Sequence, residues 1–413
     1  MRNRKVRLIS IFFAALLISS IFCNPTFAQL ENPDLPKRTG LKVGDVAIMH
    51  GALGVSEELE TNIYLAPSSR KIDVITLLKP SAGIEIPLRD NRISADYEAG
   101  IYMYGQYHSQ NHIDHRARGL VELNLTDYKI TIKDTFRDYT DRASDENSRR
   151  IAREDNNFRT AINAEFDKFG FELGYSNILD IYGSKDDLVY QQISYGDRDR
   201  FTNIVNGIVS YRFMPKTSAF LEADIGFINY YNSSIPPGSI FTDWYMGLKG
   251  KPTSKILINL KGGFRYQNYD SSSIYADKFY FGPVIKGGLD FLMTKDDTFN
   301  LALEKGVYES LYANMNYYDA NIIYLKYTHK FNEKMLVSGF GNYQFNSYPS
   351  STTENGQTGK RYDNILTFGC LGRYDIRRWL SAELKYEYTN KWSKFDVFDY
   401  VDNRVMVSGT AGF

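Results

Sequence analysis

From about residue 46 to the last residue, apolar and polar positions alternate with a period of two. This is the pattern of strands with one apolar and one polar face. In 379–388, WLSAELKYEY, one face carries Leu380, Ala382, Leu384, Tyr386 and Tyr388. The other carries Trp379, Ser381, Glu383, Lys385 and Glu387. In 256–267, Ile256, Ile258, Leu260, Gly262, Phe264 and Tyr266 oppose Asn259, Lys261, Arg265 and Gln267. The final segment sets Val405, Val407, Gly409, Ala411 and Phe413 against Arg404, Ser408 and Thr410. No stretch carries a clean helical stripe, and no segment after the N-terminal region approaches 18 consecutive apolar residues.

The breaks between strands alternate in length. Short turns fall near Arg89–Asn91, Thr126-Asp127, Lys168-Phe169, Met214-Pro215, Gly250–Ser254, Lys295-Asp296, Asn332-Glu333 and Ile376-Arg377. Longer polar connections fall near 61–70, 107–112, 141–156, 183–198, 231–238, 268–277, 310–317, 347–361 and 391–400. Eight short and nine long connections predict 18 strands. The strands run to about 12–15 residues, enough for a tilted crossing of a bilayer, which takes about 9–11. Short turns on one side and long loops on the other fit periplasmic turns and extracellular loops. Tyr and Phe crowd the strand ends, as in interfacial girdles. The expected fold is all-β: a transmembrane antiparallel up-and-down β-barrel of about 18 strands over 46–413. A periplasmic β-propeller competes, because the short turns recur near a blade period. A blade holds four short strands, however, and each period here holds two long ones. A soluble sandwich or lipocalin-like chain is the other rival.

Arg2, Arg4, Lys5 and Arg7 precede an apolar run over residues 8–22, followed by Thr26-Phe27-Ala28. This reads as a secretory signal peptide, residues 1–28, cleaved after Ala28. A retained anchor helix and a lipoprotein built on Cys23 are the alternatives; the run is short for the first, and Phe22 fits the second poorly. Residues 29–45, with Pro33 and Pro36, read as a periplasmic leader without a second domain.

Composition narrows the function. The chain has 413 residues, 61 of them aromatic, and equal numbers of acidic and basic residues, 49 each. Cleavage after Ala28 leaves 45 basic against 49 acidic residues, a net charge of −4. The absence of a basic block argues against nucleic acid as a partner. Two cysteines exclude a disulfide scaffold or a multi-cysteine metal centre. After cleavage only Cys370 remains, at an outward parity where it acts as a small hydrophobe. Slightly negative mean hydropathy argues against a bundle of membrane helices but not against a barrel.

Three segments carry a family resemblance. The segment 62–88 holds Asn62-Ile63-Tyr64, Asp73 and Pro80. The segment 92–118 holds Asp96-Tyr97, Tyr104 and an Asn111…His115 stretch leading from loop into strand. The segment 371–413 holds Arg377-Arg378-Trp379-Leu380, Tyr386-Glu387-Tyr388, Phe395, Tyr400, Asn403-Arg404 and Phe413. With these strand-and-turn signatures the chain resembles the outer-membrane family called putative beta-barrel porin 2. The resemblance implies a bacterial outer-membrane barrel, of Gram-negative type, linked to exopolysaccharide production or export. A terminal aromatic such as Phe413 is also what outer-membrane barrels present to their assembly machinery.

A barrel of this size encloses a water-filled or plugged lumen. Parity assigns Lys261, Arg265, Lys286, Asp290, Arg373, Glu383, Lys385, Glu387 and Arg404 to that lumen as pore-lining candidates. A polar interior that only pairs its own charges is the competing reading. Trp379 and Phe340 point inward by parity, where rings would stack on sugars; a girdle or wall-packing role competes. No N-terminal plug domain is apparent. The loop at 141–156, with Asp145, Glu146, Arg149, Arg150, Arg153, Glu154 and Asp155, either folds inward as a constriction or stands in solvent. Asp134 and Asp138 are expected to cap the extracellular rim. His108, His112 and His115 are weak candidates for a surface metal against an exposed loop and a wall residue. No serine elbow, metalloprotease helix or phosphate-cradling loop appears, so no catalytic residue and no cofactor is assigned. The expected partners are outer-membrane lipid, the assembly machinery and a polysaccharide or other polar solute, with the oligomeric state left open. The expected function is a non-enzymatic channel linked to polysaccharide export. A general or sugar-type diffusion porin and a structural or adhesive surface barrel with a closed lumen are the alternatives.

Overall fold

The computed structural model describes residues 40–44, 46–142, 150–182, 198–231, 238–270, 277–310, 312 and 315–413. The signal-peptide segment, most of the leader, and Asp145, Glu146 and Arg149 lie outside these residues. The strands are β1 (Leu41–Val43), β2 (Ala47–Glu60), β3 (Asp73–Leu88), β4 (Asn91–Tyr104), β5 (His112–Asn124) and β6 (Tyr128–Asp141). They continue with β7 (Ile151–Phe166), β8 (Phe169–Tyr182), β9 (Arg200–Met214), β10 (Thr217–Tyr230), β11 (Ser239–Gly250) and β12 (Ile256–Tyr269). The last are β13 (Phe279–Leu292), β14 (Asp297–Glu309), β15 (Tyr317–Asn332), β16 (Met335–Glu354), β17 (Gln357–Arg377), β18 (Leu380–Ser393) and β19 (Tyr400–Gly412).

From β2 onward each strand pairs antiparallel with the next, and β19 pairs with β2. The result is a closed barrel of 18 strands, as the turn pattern predicts. Closure leaves no sheet edge facing lipid, the condition for a sheet to cross a bilayer. β1 lies within the segment read as a leader and pairs with the first residues of β2, Leu41 opposite Met49. At the closing seam the Phe413 N–H donates to the Gly51 carbonyl (2.9 Å), and the Phe413 ring lies over Gly51.

The period-two pattern sorts side chains between two environments. On β12, Phe264 is 55% exposed and faces outward, whereas Gln267 is fully buried on the inner face. Leu221, Trp244, Met246 and Phe281 extend the apolar outer wall. Near the middle of their strands, outward tyrosines hydrogen-bond side chains one strand away: Tyr97 to His115 (2.6 Å), Tyr175 to Asn203 (2.7 Å), Tyr343 to Asn364 (2.7 Å) and Tyr386 to Asn403 (3.0 Å). A phenol turned to the apolar exterior thus keeps a partner for its hydroxyl.

The segment 347–361, expected as a polar loop, is instead a continuation of β16 and β17. It turns at Asn355-Gly356, both at positive φ (47° and 80°). Asn-Gly is the preferred pair for a two-residue hairpin turn because both positions adopt positive φ at little cost. Asp134 is corrected as well. Inward Arg116 and Arg118 pair with Arg137 and Thr135, so even-numbered residues of β6 face outward. Asp134 lies mid-strand on the outer wall, where its carboxylate accepts from Asn156 Nδ2 (2.7 Å); it caps no rim.

Gly287 has φ +127°, and a Cβ there would lie 2.0 Å from the Asn259 carbonyl oxygen. Gly287→Val should therefore destabilise the barrel by about 1–3 kcal/mol. The check is the temperature at which the compact folded band is lost on a denaturing gel, which should fall without loss of folding at low temperature.

Candidate functional site

The inner wall is built from ion pairs between neighbouring strands. Lys261 Nζ lies 2.7 Å from Glu222, and Arg265 forks onto Asp243 with two bonds of 2.7 Å. Lys286 faces Glu304 at 4.0 Å, and Asp290 accepts from Asn300 (2.6 Å). Arg373 spans Asp375 (3.0 Å) and Glu383 (3.7 Å). Lys385 and Arg404 both engage Glu387, the former at 2.8 Å, and Arg404 also approaches Glu58 (3.9 Å). All nine residues predicted by parity thus stand on the inner face, and each has a polar or oppositely charged partner there. Such pairing offsets the cost of partly desolvating the charges. Phe340 also points inward, its ring over Gly369 and 5.4 Å from Lys385 Nζ. Trp379 does not: it sits in the turn between β17 and β18, 56% exposed.

The loop end of the lumen is narrowed by an element the sequence reading did not anticipate. β13 and β14 pair only from Leu292↔Thr298 to Ile285↔Lys305, while β14 and β15 stay in register up to Glu309↔Tyr317. Beyond Lys305 the β14–β15 hairpin therefore leaves the wall. Pro283, two residues past the last β13–β14 pair, has no N–H to offer a ladder, which suits it to a freed edge. The hairpin leans inward. Glu309 accepts hydrogen bonds from Gln267 Nε2 (2.8 Å), Tyr269 Oη (2.9 Å) and Tyr230 Oη (2.9 Å), the last on β10, four strands away. Only a chord across the concave side joins strands that far apart. The freed edge of β13 is covered: Tyr317 Oη donates to the Phe279 carbonyl (3.3 Å), and Asn316 Nδ2 donates to the Asp277 carbonyl (2.7 Å).

The other face of the hairpin completes a packed mouth. Tyr312, Tyr348 and Phe398 surround the Arg361 guanidinium, the Phe398 centroid only 3.7 Å away. Arg361 and Asp363, both fully buried, pair at 2.6 Å, and Lys391 adds a contact to Asp363 (3.2 Å). Cation–π contacts are strong where water is excluded.

The described ends of the β6–β7 connection cross the lumen too. Arg142 reaches Glu60 and Asp402, and Arg150 approaches Glu60 (3.8 Å) and stacks over Tyr104. Desolvation opposes the Arg142 charge, but Glu60, Asp402 and Glu58 outweigh it and push its pKa above the ordinary arginine range. Of the two fates weighed for this connection, its ends take the inward one.

The histidines do not converge. His112 faces inward and stacks on Tyr102 (4.4 Å), while His115 faces outward toward Tyr97. His108 lies in the short 3-10 turn His108–Gln110. Among the described residues no group of three or more His, Cys, Asp or Glu side chains is placed to hold a metal. Cys370 is exposed on the outer face.

No curated protein sequence matches the chain. Solved structures of similar shape include OpdK of Pseudomonas aeruginosa with vanillate (11% identity, 88% of this chain and 99% of that one, TM-score 0.48). OccAB3 of Acinetobacter baumannii is similar too (9% identity, 90% and 100% coverage, TM-score 0.47). The siderophore receptor PirA of Pseudomonas aeruginosa is a third (8% identity, 88% and 80% coverage, TM-score 0.43). A sequence model of the family described as Putative beta-barrel porin 2 matches residues 36–413. With a closed wall of 18 strands, a polar inner face and that match over nearly its whole length, the chain belongs to this family of bacterial outer-membrane β-barrels.

Proposed function

We propose that this outer-membrane barrel is a non-enzymatic channel for polar solutes whose aperture is set at the loop end. The observation that carries this reading is the inward β14–β15 hairpin, held to β10 and β12 through Glu309. An 18-stranded wall alone encloses a wide lumen; this hairpin and the ends of the β6–β7 connection reduce it. The nine paired charges Lys261, Arg265, Lys286, Asp290, Arg373, Glu383, Lys385, Glu387 and Arg404 line the route. Both signs alternate around the wall, giving a polar path with a transverse field instead of a ring of one sign. The cargo in this reading is an extracellular polysaccharide moving outward, which rests on the family resemblance. Outer-membrane lipid and the barrel-assembly machinery, with Phe413 as its signal, are the partners.

A second reading, a surface barrel with a closed lumen, draws support from the packed mouth around Arg361, where Tyr312, Tyr348 and Phe398 meet.

Single-channel recording of the refolded chain in a planar bilayer separates the two. A channel gives discrete conductance steps that candidate oligosaccharides reduce when added to one side. Verified folded barrels that never conduct would leave the closed-lumen reading.

Glu309→Ala removes the acceptor of three hydrogen bonds, one joining the hairpin to β10 and two joining it to β12. Hydrogen bonds to a charged group each contribute about 1.5–3 kcal/mol. The variant should fold, and its open-state conductance should rise severalfold over the native chain. Unchanged conductance would remove the hairpin from the aperture.

A further inference from the structure

A buried guanidinium normally has its nitrogens satisfied, because an unpaired buried cation is costly. At the loop end of this barrel a counter-charge meets the rule in part for Arg361, which pairs with Asp363, and for Arg150, which approaches Glu60. It fails at Arg198, which stands just before β9. Arg198 is 1% exposed, and Nε, Nη1 and Nη2 all lack a hydrogen-bond partner. Close by in the fold, Arg200 gives Nε to Asp180 (3.2 Å), but its Nη1 is also unmet. Both guanidinium groups lie within electrostatic reach of the Tyr230 hydroxyl, the group that meets Glu309.

The carboxylates of this region are already committed. Asp180 bridges Arg153 and Arg200. The Glu309 oxygens accept from Tyr230, Tyr269 and Gln267. Among the described residues Arg198 forms no ion pair. Asp199, between the two arginines in sequence, accepts from the Tyr182 N–H through Oδ1 (2.7 Å), and the Arg198 nitrogens stay unmet.

We propose that Arg198, with Nη1 of Arg200, binds an oxyanion (a carboxylate or phosphate group, free or carried by a solute) at the loop end of the lumen. A guanidinium presents parallel N–H groups that match two oxygens of such an anion, and the low local dielectric strengthens the contact. The site goes beyond the channel reading: a barrel with a closed lumen would keep it.

The test uses the full mature chain refolded in detergent, at pH 7 and matched ionic strength. The loss of the compact band on heating is followed in chloride, in inorganic phosphate and in acetate. A ligand that binds only the folded state raises the melting temperature. Phosphate or acetate at tens of millimolar should raise it by several degrees over chloride, and Arg198→Gln should abolish the rise. In chloride, Arg198→Gln should match or exceed the native stability, since the uncompensated charge is gone. A response to phosphate alone assigns a phosphate group, and a response to acetate alone a carboxylate. Equal melting of the native chain in all three salts would overturn the site, as would an undiminished rise in Arg198→Gln. Should that variant not fold, titration calorimetry of the native chain with phosphate and with acetate decides. Saturable one-to-one binding of either supports the site, and its absence for both refutes it.

Discussion

Backbone hydrogen bonding in a medium without water is the constraint from which this architecture follows. An N–H or carbonyl facing acyl chains finds no solvent partner, so a membrane sheet must close on itself. Here β19 meets β2, and the ladders run through the lower and middle barrel, with β3–β4 skipping a step at Pro80. The one ladder that stops early, β13 with β14, does so toward the loop end. There side chains of the displaced hairpin and of its own loop cover the freed edge. Pro283 is compatible with that place and would be poorly compatible with the centre of a ladder on both sides. A local covalent property of one residue thereby coincides with the largest departure from the regular wall.

The same low dielectric governs the inner face. Charges such as Arg265 and Asp243 are nearly buried, and they persist because each satisfies the other in fixed geometry. Near the mouth the groups become larger and drier: Arg361 sits among three rings, and Arg142 bridges to two acids across the lumen. The interior thus grades from laterally paired charges on the wall to groups that tie separate elements together. Polar groups with one job in the wall, holding neighbours, acquire a second at the mouth, holding chain segments across open space.

Much of this was legible in the sequence because it is written locally. Turn residues at short intervals give the strand number, and period-two parity places Lys261, Arg265 and Arg404 on the inner face. The failures share a cause too. Trp379 continues the alternation of β18 by one residue, but the strand begins at Leu380, so parity has no meaning for it. Asp134 was expected at the rim, whereas the register of β6 against β5 places it mid-strand and outward. The strand extension around Asn355-Gly356 was hidden by its polar composition, although the Asn-Gly pair was a sufficient signal. The contact of Glu309 with Tyr230 could not be read at all. It depends on the curvature of the closed wall, which brings β14 and β10 within reach through the interior, and no local pattern encodes that.

The closing seam has a kinetic meaning. Seventeen ladders of the barrel join strands that follow one another along the chain and can zip as successive hairpins. The β2–β19 ladder alone joins residues as far apart as Ala52 and Gly412, so nearly the whole chain must be gathered before its first bond forms. Closing a loop that long carries an entropic penalty that local pairing avoids. Until it forms, β2 and β19 are both bare edges able to pair with any strand they meet. The seam that ends at Gly51 and Phe413 is therefore the step at which a growing sheet commits either to a barrel or to aggregation.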